Sequence, residues 1–196
     1  MTCVVGIRTG AKVLVAGDSI GTNRATSDTR VDPKVFAAGP LAFGHTTSFR
    51  WGQIAQFYTL PALATGDDSP ARGDDLYEWA VTRFVPKLRA DLSEHGWLKK
   101  EQEREEGGRA ILAVAGRLFT VHSDFQIAEI ADDYTAVGSG AEVALGALFA
   151  RIGIDRVRPP QPRQAQAAAE LAICAAVHHS AYVRPPILTV WTGRLS

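Results

Sequence analysis

The opening of the chain most restricts what it can fold into. Residues 2–7 (TCVVGI) and 13–16 (VLVA) are short, apolar and rich in β-branched side chains, which is typical of buried strands. A Gly-Ala pair at 10–11 separates them and predicts an antiparallel hairpin. The end of the second strand then lies beside the start of the first. Asp18 is therefore expected near Thr2.

A lysine, Lys34, precedes the next apolar segment, residues 35–38. A lysine that enters a buried strand is costly unless a carboxylate meets it, and Asp18 is the candidate partner. Thr2 directly follows Met1, and an initiator methionine is removed when the next side chain is small. The mature chain is thus predicted to begin with a threonine, which carries a hydroxyl nucleophile and an α-amine that can act as its base.

The segment TCVVGIRTGAKVLVAGDSIGT, residues 2–22, resembles the opening of proteasome β-type subunits and of the bacterial HslV peptidase. In these N-terminal-nucleophile hydrolases the catalytic threonine is the first residue of the mature chain. An aspartate ends the second strand and a lysine begins the third, and Asp18 and Lys34 occur at the family's spacing from Thr2. The run AVGSGA at 136–141 resembles the Gly-Ser-Gly turn that places a serine beside the threonine amine. The resemblance implies four catalytic residues: Thr2, Asp18, Lys34 and Ser139.

The resemblance also assigns the supporting parts of the site. The turn that includes Gly44 and His45 occupies the place of a Gly-rich turn of the family, so these two backbone amides are predicted to bind the oxyanion. His45 stands where a glycine is usual. Asp32, Phe36 and Phe43 fall at positions that line the substrate pocket of the family, where Asp32 would favour basic side chains. The two phenylalanines serve equally well as ordinary core residues.

One support that is common in the family is missing. Alignment of residues 178–183 (HHSAYV) puts Ser180 at the position of an aspartate and Val183 at that of a serine. The HslV branch also lacks this aspartate, so the difference does not exclude catalysis and favours the bacterial branch. His178 and His179 are adjacent on a predicted helix and point apart, so no metal site is predicted, and no cofactor is expected.

Composition excludes several classes of protein. At 196 residues and 46% hydrophobic content, the chain suits a single domain, 1–196, with a sizeable core. The 21 basic and 21 acidic side chains balance, which argues against nucleic acid or an anionic membrane as a partner and suits a subunit of an assembly. Cys3 and Cys174 indicate no disulfide framework. No membrane-spanning run or signal-peptide pattern is present, so a cytoplasmic location is expected.

The order of predicted elements is strands, two helices, strands, two helices and a final strand at 187–191. The first helix is expected to end before Pro61, and Pro86 to kink or divide the second. The polar stretch 21–30 and the charged stretch 99–109 are predicted as loops or solvated faces. The order suggests two packed sheets with helices outside each. The resemblance implies the same α+β fold, a four-layer αββα sandwich.

The function implied by the resemblance is that of a threonine-type endopeptidase subunit in a self-compartmentalised, homo-oligomeric ring. Its substrates would be unfolded polypeptides or peptides, and an ATP-dependent unfoldase ring would be its partner. Two alternatives remain open. One is a non-catalytic ring-forming subunit, against which the Thr–Asp–Lys set argues, and the other is an N-terminal-nucleophile amidohydrolase for a small molecule.

Overall fold

The computed structural model describes residues 2–10, 12–23, 26–71, 74–101, 104–154 and 158–193. Its strands are β1 (Cys3–Arg8), β2 (Val13–Asp18), β3 (Ile20–Asn23), β4 (Thr26–Thr29), β5 (Val35–Ala38), β6 (Leu41–His45), β7 (Lys99–Glu101), β8 (Arg104–Glu106), β9 (Ala110–Val114), β10 (Arg117–Val121), β11 (Ile127–Glu129), β12 (Tyr134–Gly138) and β13 (Ile187–Trp191). The two larger sheets are antiparallel, with the orders β12-β1-β2-β13 and β11-β10-β9-β6-β5, and β3-β4 and β7-β8 form two-stranded sheets.

The helices are α1 (Phe49–Ile54), α2 (Leu60–Thr65), α3 (Leu76–Trp79), α4 (Val85–Glu94), α5 (Ala141–Leu148) and α6 (Pro162–His179). Three π-helical turns extend or join them: Ala55–Thr59, Ala80–Phe84 and Phe149–Gly153. None of the helices in the described ranges combines the length and apolar character needed to cross a membrane.

Three apolar layers hold these elements together. One lies between the five-stranded sheet and helices α1 to α4, and it includes Phe43, Trp51 and Phe84. A second, rich in alanine, lies between the four-stranded sheet and helices α5 and α6. The third, mostly valine, isoleucine and leucine, fills the space between the two sheets. The predicted αββα sandwich is confirmed.

The prediction that the first helix ends before Pro61 is wrong. The helix continues through the π-helical turn Ala55–Thr59 into α2, which ends at Thr65. Pro61 directly follows this π-helical turn, whose last hydrogen bond runs from the Leu60 N–H to the Ala55 carbonyl, so the change in hydrogen-bonding pattern falls where the proline lacks an N–H. Pro86 follows the turn Ala80–Phe84 in the same way, so the predicted interruption of this helix is a π-helical turn.

Two stretches predicted as loops contain hairpins. β3 pairs with β4, beginning one residue before the stretch 21–30 with Ile20 opposite Thr29, and β7 pairs with β8 within 99–109. Neither stretch carries the apolar alternation that marks a half-buried strand, so pattern alone does not reveal them. Residues 24–25 and 102–103, and Ala11 of the predicted turn at 10–11, lie outside the described residues.

Candidate functional site

Thr2 lies at the end of the central strand β1, between its two partners. Its backbone nitrogen is 3.2 Å from Ser139 Oγ, and its carbonyl oxygen accepts from the Gly140 N–H at 3.3 Å and from Ser139 Oγ at 3.4 Å. Gly138 makes this approach possible, because its φ is +102° and a Cβ there would lie 2.2 Å from the Thr2 carbonyl oxygen. The pairing of β12 with β1 thus brings the predicted serine to the predicted nucleophile.

A buried ion pair lies beside this strand end. Lys34 Nζ donates to Asp18 Oδ2 at 2.9 Å, and the two side chains are 2% and 0% exposed. Asp18 also accepts from the backbone N–H of Cys3 at 2.9 Å and from that of Ile20 at 3.3 Å. Three donors, from Cys3, Ile20 and Lys34, therefore fix the aspartate at the end of β2. Such a pair is expensive to desolvate, so its presence is weak evidence for a gain in stability.

Burial shifts the proton affinities of two groups here. It lowers the pKa of Lys34, although the neighbouring Asp18 carboxylate opposes the shift through its charge and hydrogen bond. It raises the pKa of the Cys3 thiol to about 12, and the Asp18 charge adds to the effect. Cys3 therefore stays a neutral thiol at neutral pH and is not a rival nucleophile.

A small cavity opens next to Thr2, with a volume of about 50 Å³. Its lining consists of Thr2 and Lys34, the turn residues 46–48, and Ile20, Thr22, His45 and Phe49. Thr2 and Lys34 thus face one common space. Of the lining residues, sequence reasoning missed Ile20, Thr22, Phe49 and the turn 46–48. The position of Ser48 could have been predicted, because serine is a preferred N-cap residue and Ser48 is the N-cap of α1.

The three residues predicted to line the substrate pocket do not line this cavity. Phe36 and Phe43 are buried in the core beneath helices α1 to α4, with their ring centroids 5.6 Å apart, so the alternative that they are ordinary core residues describes them. Asp32 forms a two-bonded ion pair with Arg30, at 2.8 and 2.7 Å. The Arg30 guanidinium in turn lies 3.9 Å from the ring centroid of Phe49. Its positive charge offsets that of Asp32, which weakens the case for selection of basic side chains.

The amide geometry does not support an oxyanion site at Gly44 and His45. The His45 N–H donates to the Lys34 carbonyl at 2.9 Å, and Gly44 pairs with Val35 and Ile111 inside the sheet. The next amides are also engaged: Thr46 N–H donates to the Arg109 carbonyl, and Ser48 N–H donates to the Thr46 carbonyl. In the described part of the chain, the Thr47 N–H is the amide of this turn with no hydrogen-bond acceptor.

Thr47 has an unusual backbone conformation. Its φ is +75°, in the left-handed region that a β-branched side chain rarely adopts, and such a conformation costs about 1–3 kcal/mol. The strand end at Arg109 holds the turn. The Arg109 carbonyl accepts from the Thr46 hydroxyl at 3.0 Å, and the Arg109 N–H donates to the Thr47 hydroxyl at 3.4 Å.

The His45 side chain, which the sequence analysis did not consider, is buried against helix α1. A Cβ at Gly52 would lie 2.1 Å from His45 Nε2, so only glycine leaves room for the imidazole. Burial lowers the pKa of His45 to about 4, and the charge of Lys34 acts in the same direction. Backbone groups of Thr46 and Pro33 oppose the shift without reversing it. The imidazole is therefore neutral at neutral pH.

His45 should make folding stability depend on pH. Its pKa falls from 6.5 to about 4 on folding, so between these values the unfolded chain binds more protons than the folded chain. The contribution is complete above about pH 6.5 and is lost as the pH falls to 4, by about 3 kcal/mol in all. Urea unfolding of the wild type and of His45→Gln at pH 7 and pH 4 measures it. Equal losses in the two proteins would contradict the assignment.

The last helix supplies no acid to the site. Val183, at the position of the family's serine, is fully buried in the core with Cys3. Ser180, at the aspartate position, caps the end of α6, and its Oγ accepts from the Tyr182 N–H at 3.3 Å. His178 and His179 do not point apart as expected, because their rings pack edge to face with centroids 4.7 Å apart. Among the described residues, no group of three or more His, Cys, Asp or Glu side chains is placed to hold a metal ion.

No protein-family model matches the sequence, and no significant match is found among curated proteins. Solved structures do match. BPH from Thiobacillus denitrificans aligns at a TM-score of 0.73 and 20% identity over 97% of each chain, and BPH in complex with epoxomicin aligns at 0.72. Eukaryotic HslV from Trypanosoma brucei aligns at 0.66 and 16% identity over 98% of this chain and 99% of its own. Anbu, described as an ancestral β-subunit, from Yersinia bercovieri aligns at 0.68 and 15% identity over 97% and 81%. The chain thus has the proteasome-like fold.

Proposed function

We propose that the chain is a threonine-type peptidase that uses Thr2 as its nucleophile after removal of Met1. One observation carries this proposal: Thr2, with its nitrogen 3.2 Å from Ser139 Oγ, shares a cavity with Lys34, whose ammonium is buried 2.9 Å from Asp18. A buried Lys–Asp pair beside the hydroxyl of an N-terminal threonine suits acyl transfer, because it places a fixed charge next to the groups that exchange protons during the reaction. Met1 lies outside the described residues, so its removal is part of the proposal.

The reaction has two steps. Thr2 Oγ1 attacks the carbonyl carbon of the scissile peptide bond, and its proton passes to the α-amine that removal of Met1 leaves on the Thr2 nitrogen. The C–N bond then breaks, the leaving nitrogen takes up that proton, and an ester links the substrate to Thr2. Water, deprotonated by the same amine, attacks the ester, releases the carboxylic product and restores the hydroxyl.

The neighbouring residues adjust the amine for this task. A free α-amine has a pKa of about 7.7–8.0, which suits a general base at neutral pH. A positive charge on Lys34 favours the neutral amine by repulsion, and Asp18 orients the lysine through its hydrogen bond at 2.9 Å. Ser139 Oγ, 3.2 Å from the Thr2 nitrogen, orients the amine and its lone pair.

The oxyanion requires a donor other than the two predicted amides. We assign this role to the Thr47 N–H, because Thr47 lines the cavity beside Thr2 and the adjacent amides of Thr46 and Ser48 donate to other groups. A preorganised donor of this kind contributes about 10²–10³ in rate.

Assembly and substrate class are part of the proposal. The chain aligns almost end to end with proteins of the proteasome-like fold, which supports the homo-oligomeric ring that the resemblance of its sequence implies. Within that ring the proposed substrates are peptides or unfolded polypeptide delivered by an ATP-dependent unfoldase, in the cytoplasm. The chain would act there as one domain spanning 1–196.

A second candidate is hydrolysis of a small amide by the same residues. The cavity of about 50 Å³ is the observation that favours it, since it admits only a small group next to Thr2. Turnover of small amides, with no cleavage of an unfolded protein such as casein, would favour this candidate.

The experiment that tests the nucleophile is intact-mass analysis before and after treatment with a peptide epoxyketone. Loss of one methionine, and addition of one inhibitor mass that maps to Thr2, are expected. Thr2→Ala, which keeps a small side chain after Met1, should lose Met1 and gain no inhibitor. A retained Met1, or a free Thr2 that gains no adduct, would indicate a non-catalytic ring subunit.

A further inference from the structure

The turn between β6 and α1 is tied to the start of β9 by its side chains and main chain together. The Arg109 carbonyl accepts from the Thr46 N–H at 2.9 Å and from the Thr46 hydroxyl at 3.0 Å. The Arg109 N–H donates to the Thr47 hydroxyl at 3.4 Å, and the two threonine hydroxyls are 3.3 Å apart. We call this set of contacts the Arg109 clasp.

The clasp accounts for a conformation that Thr47 would not adopt by itself. A threonine at φ +75° persists only where its surroundings over-determine the backbone. Arg109 is a suitable anchor because it directly precedes β9, a strand paired on both sides, with β6 and with β10. The turn is therefore fixed to a rigid part of the sheet.

We propose that the Thr47 hydroxyl is a positioning group for the reaction: through the clasp it holds the Thr47 N–H toward the cavity where the oxyanion forms. This inference rests on the proposed function. The Thr47 hydroxyl gives the turn a hydrogen bond to the Arg109 N–H. A glycine would adopt the same φ but could not make this contact. The clasp thus restricts the backbone of Thr47 and fixes the direction of its N–H.

The direction of that amide is important because oxyanion donors act only at close range. A donor must lie about 2.7–3.1 Å from the developing charge, and removal of one lowers kcat by about 10²–10³. A displacement of about 1 Å can lower the rate by about 10². Loss of the hydroxyl that holds Thr47 should therefore affect the chemical step and leave substrate binding largely unchanged.

Three substitutions at one position separate the hydroxyl from the backbone conformation. Thr47→Val keeps the branched shape and removes the hydroxyl, and we expect kcat to fall about 10- to 100-fold with KM within about twofold. Thr47→Ser keeps the hydroxyl and should retain kcat within about threefold. Thr47→Gly adopts the left-handed conformation readily, so it folds even if the valine variant does not, yet kcat should remain about tenfold low or lower.

The measurements are kcat and KM on a peptide arylamide and the rate of epoxyketone addition to Thr2, with Thr65→Val as a control. Thr65 is exposed on α2, and its hydroxyl bonds the Pro61 carbonyl, away from the site. Equal kcat in the wild type and Thr47→Val, or equal losses in the serine and valine variants, would overturn the role of Thr47. A wild type that is free of Met1 but neither turns over nor is acylated overturns the proposed function and this inference together.

Discussion

Replacement of Thr2 with alanine is expected to lower peptide hydrolysis by more than about a thousandfold and to leave the fold intact. The physical reason is that the hydroxyl oxygen forms the bond to the substrate, so no other contact can replace it. Cys3, the neighbouring thiol, cannot take over, because burial holds its pKa at about 12. The measurement is turnover of a peptide arylamide by the wild type and the variant at equal concentration.

Two controls make this result specific. Thr2→Ser retains an oxygen nucleophile and a small second residue, so measurable turnover should remain. The oligomeric state and melting temperature of Thr2→Ala should match those of the wild type, because the contacts of Thr2 with Ser139 and Gly140 run through its backbone, which the substitution keeps. Undiminished hydrolysis by correctly assembled Thr2→Ala would place the chemistry elsewhere.

Replacement of Lys34 with methionine is expected to remove both activity and much of the stability. Methionine fills a similar volume but leaves the Asp18 carboxylate, which is 0% exposed, with only the backbone donors of Cys3 and Ile20. An uncompensated buried charge costs about 3–5 kcal/mol. Urea unfolding at pH 7 should show a loss of this order.

The double variant Asp18→Asn and Lys34→Met separates stability from catalysis. It removes both charges, so most of the lost stability should return, whereas turnover should stay absent because the lysine charge is still missing. The pH dependence of the rate of epoxyketone addition to Thr2 provides a second measure. Loss of the Lys34 charge should raise the pKa of the Thr2 α-amine and therefore the pH at which Thr2 reacts. Full activity in the double variant would show that the ion pair is only structural.

Much of this site is predictable from short-range patterns. The hairpin of β1 and β2 places Asp18 beside Thr2, because the end of one strand must lie beside the start of the other. Lys34 follows, because a lysine that enters a buried strand requires a carboxylate, and Asp18 meets it at 2.9 Å. The layer order is also predictable, since strands and helices alternate in blocks along the chain.

The turn after β6 is not predictable in this way. Its shape depends on the main chain of Arg109, 63 residues from Thr46, and no local pattern announces that contact. The assignment of the oxyanion role to Gly44 and His45 does not fit the structure for a separate reason: the His45 N–H donates to the Lys34 carbonyl. Phe36 and Phe43 illustrate a second limit. The sequence pattern of an apolar residue near a site is the same whether its side chain faces the cavity or the core. The tertiary packing determines which of the two it faces.

The contact between Ser139 and Thr2 joins residues 137 positions apart, and it forms only when β12 has added to the edge of β1. A chain that is still emerging from the ribosome therefore has the threonine long before it has the serine that orients it. Closing so large a loop is among the slower events of folding. Under the proposed function, hydrolysis therefore cannot begin before the chain has been made and folded through at least Ser139.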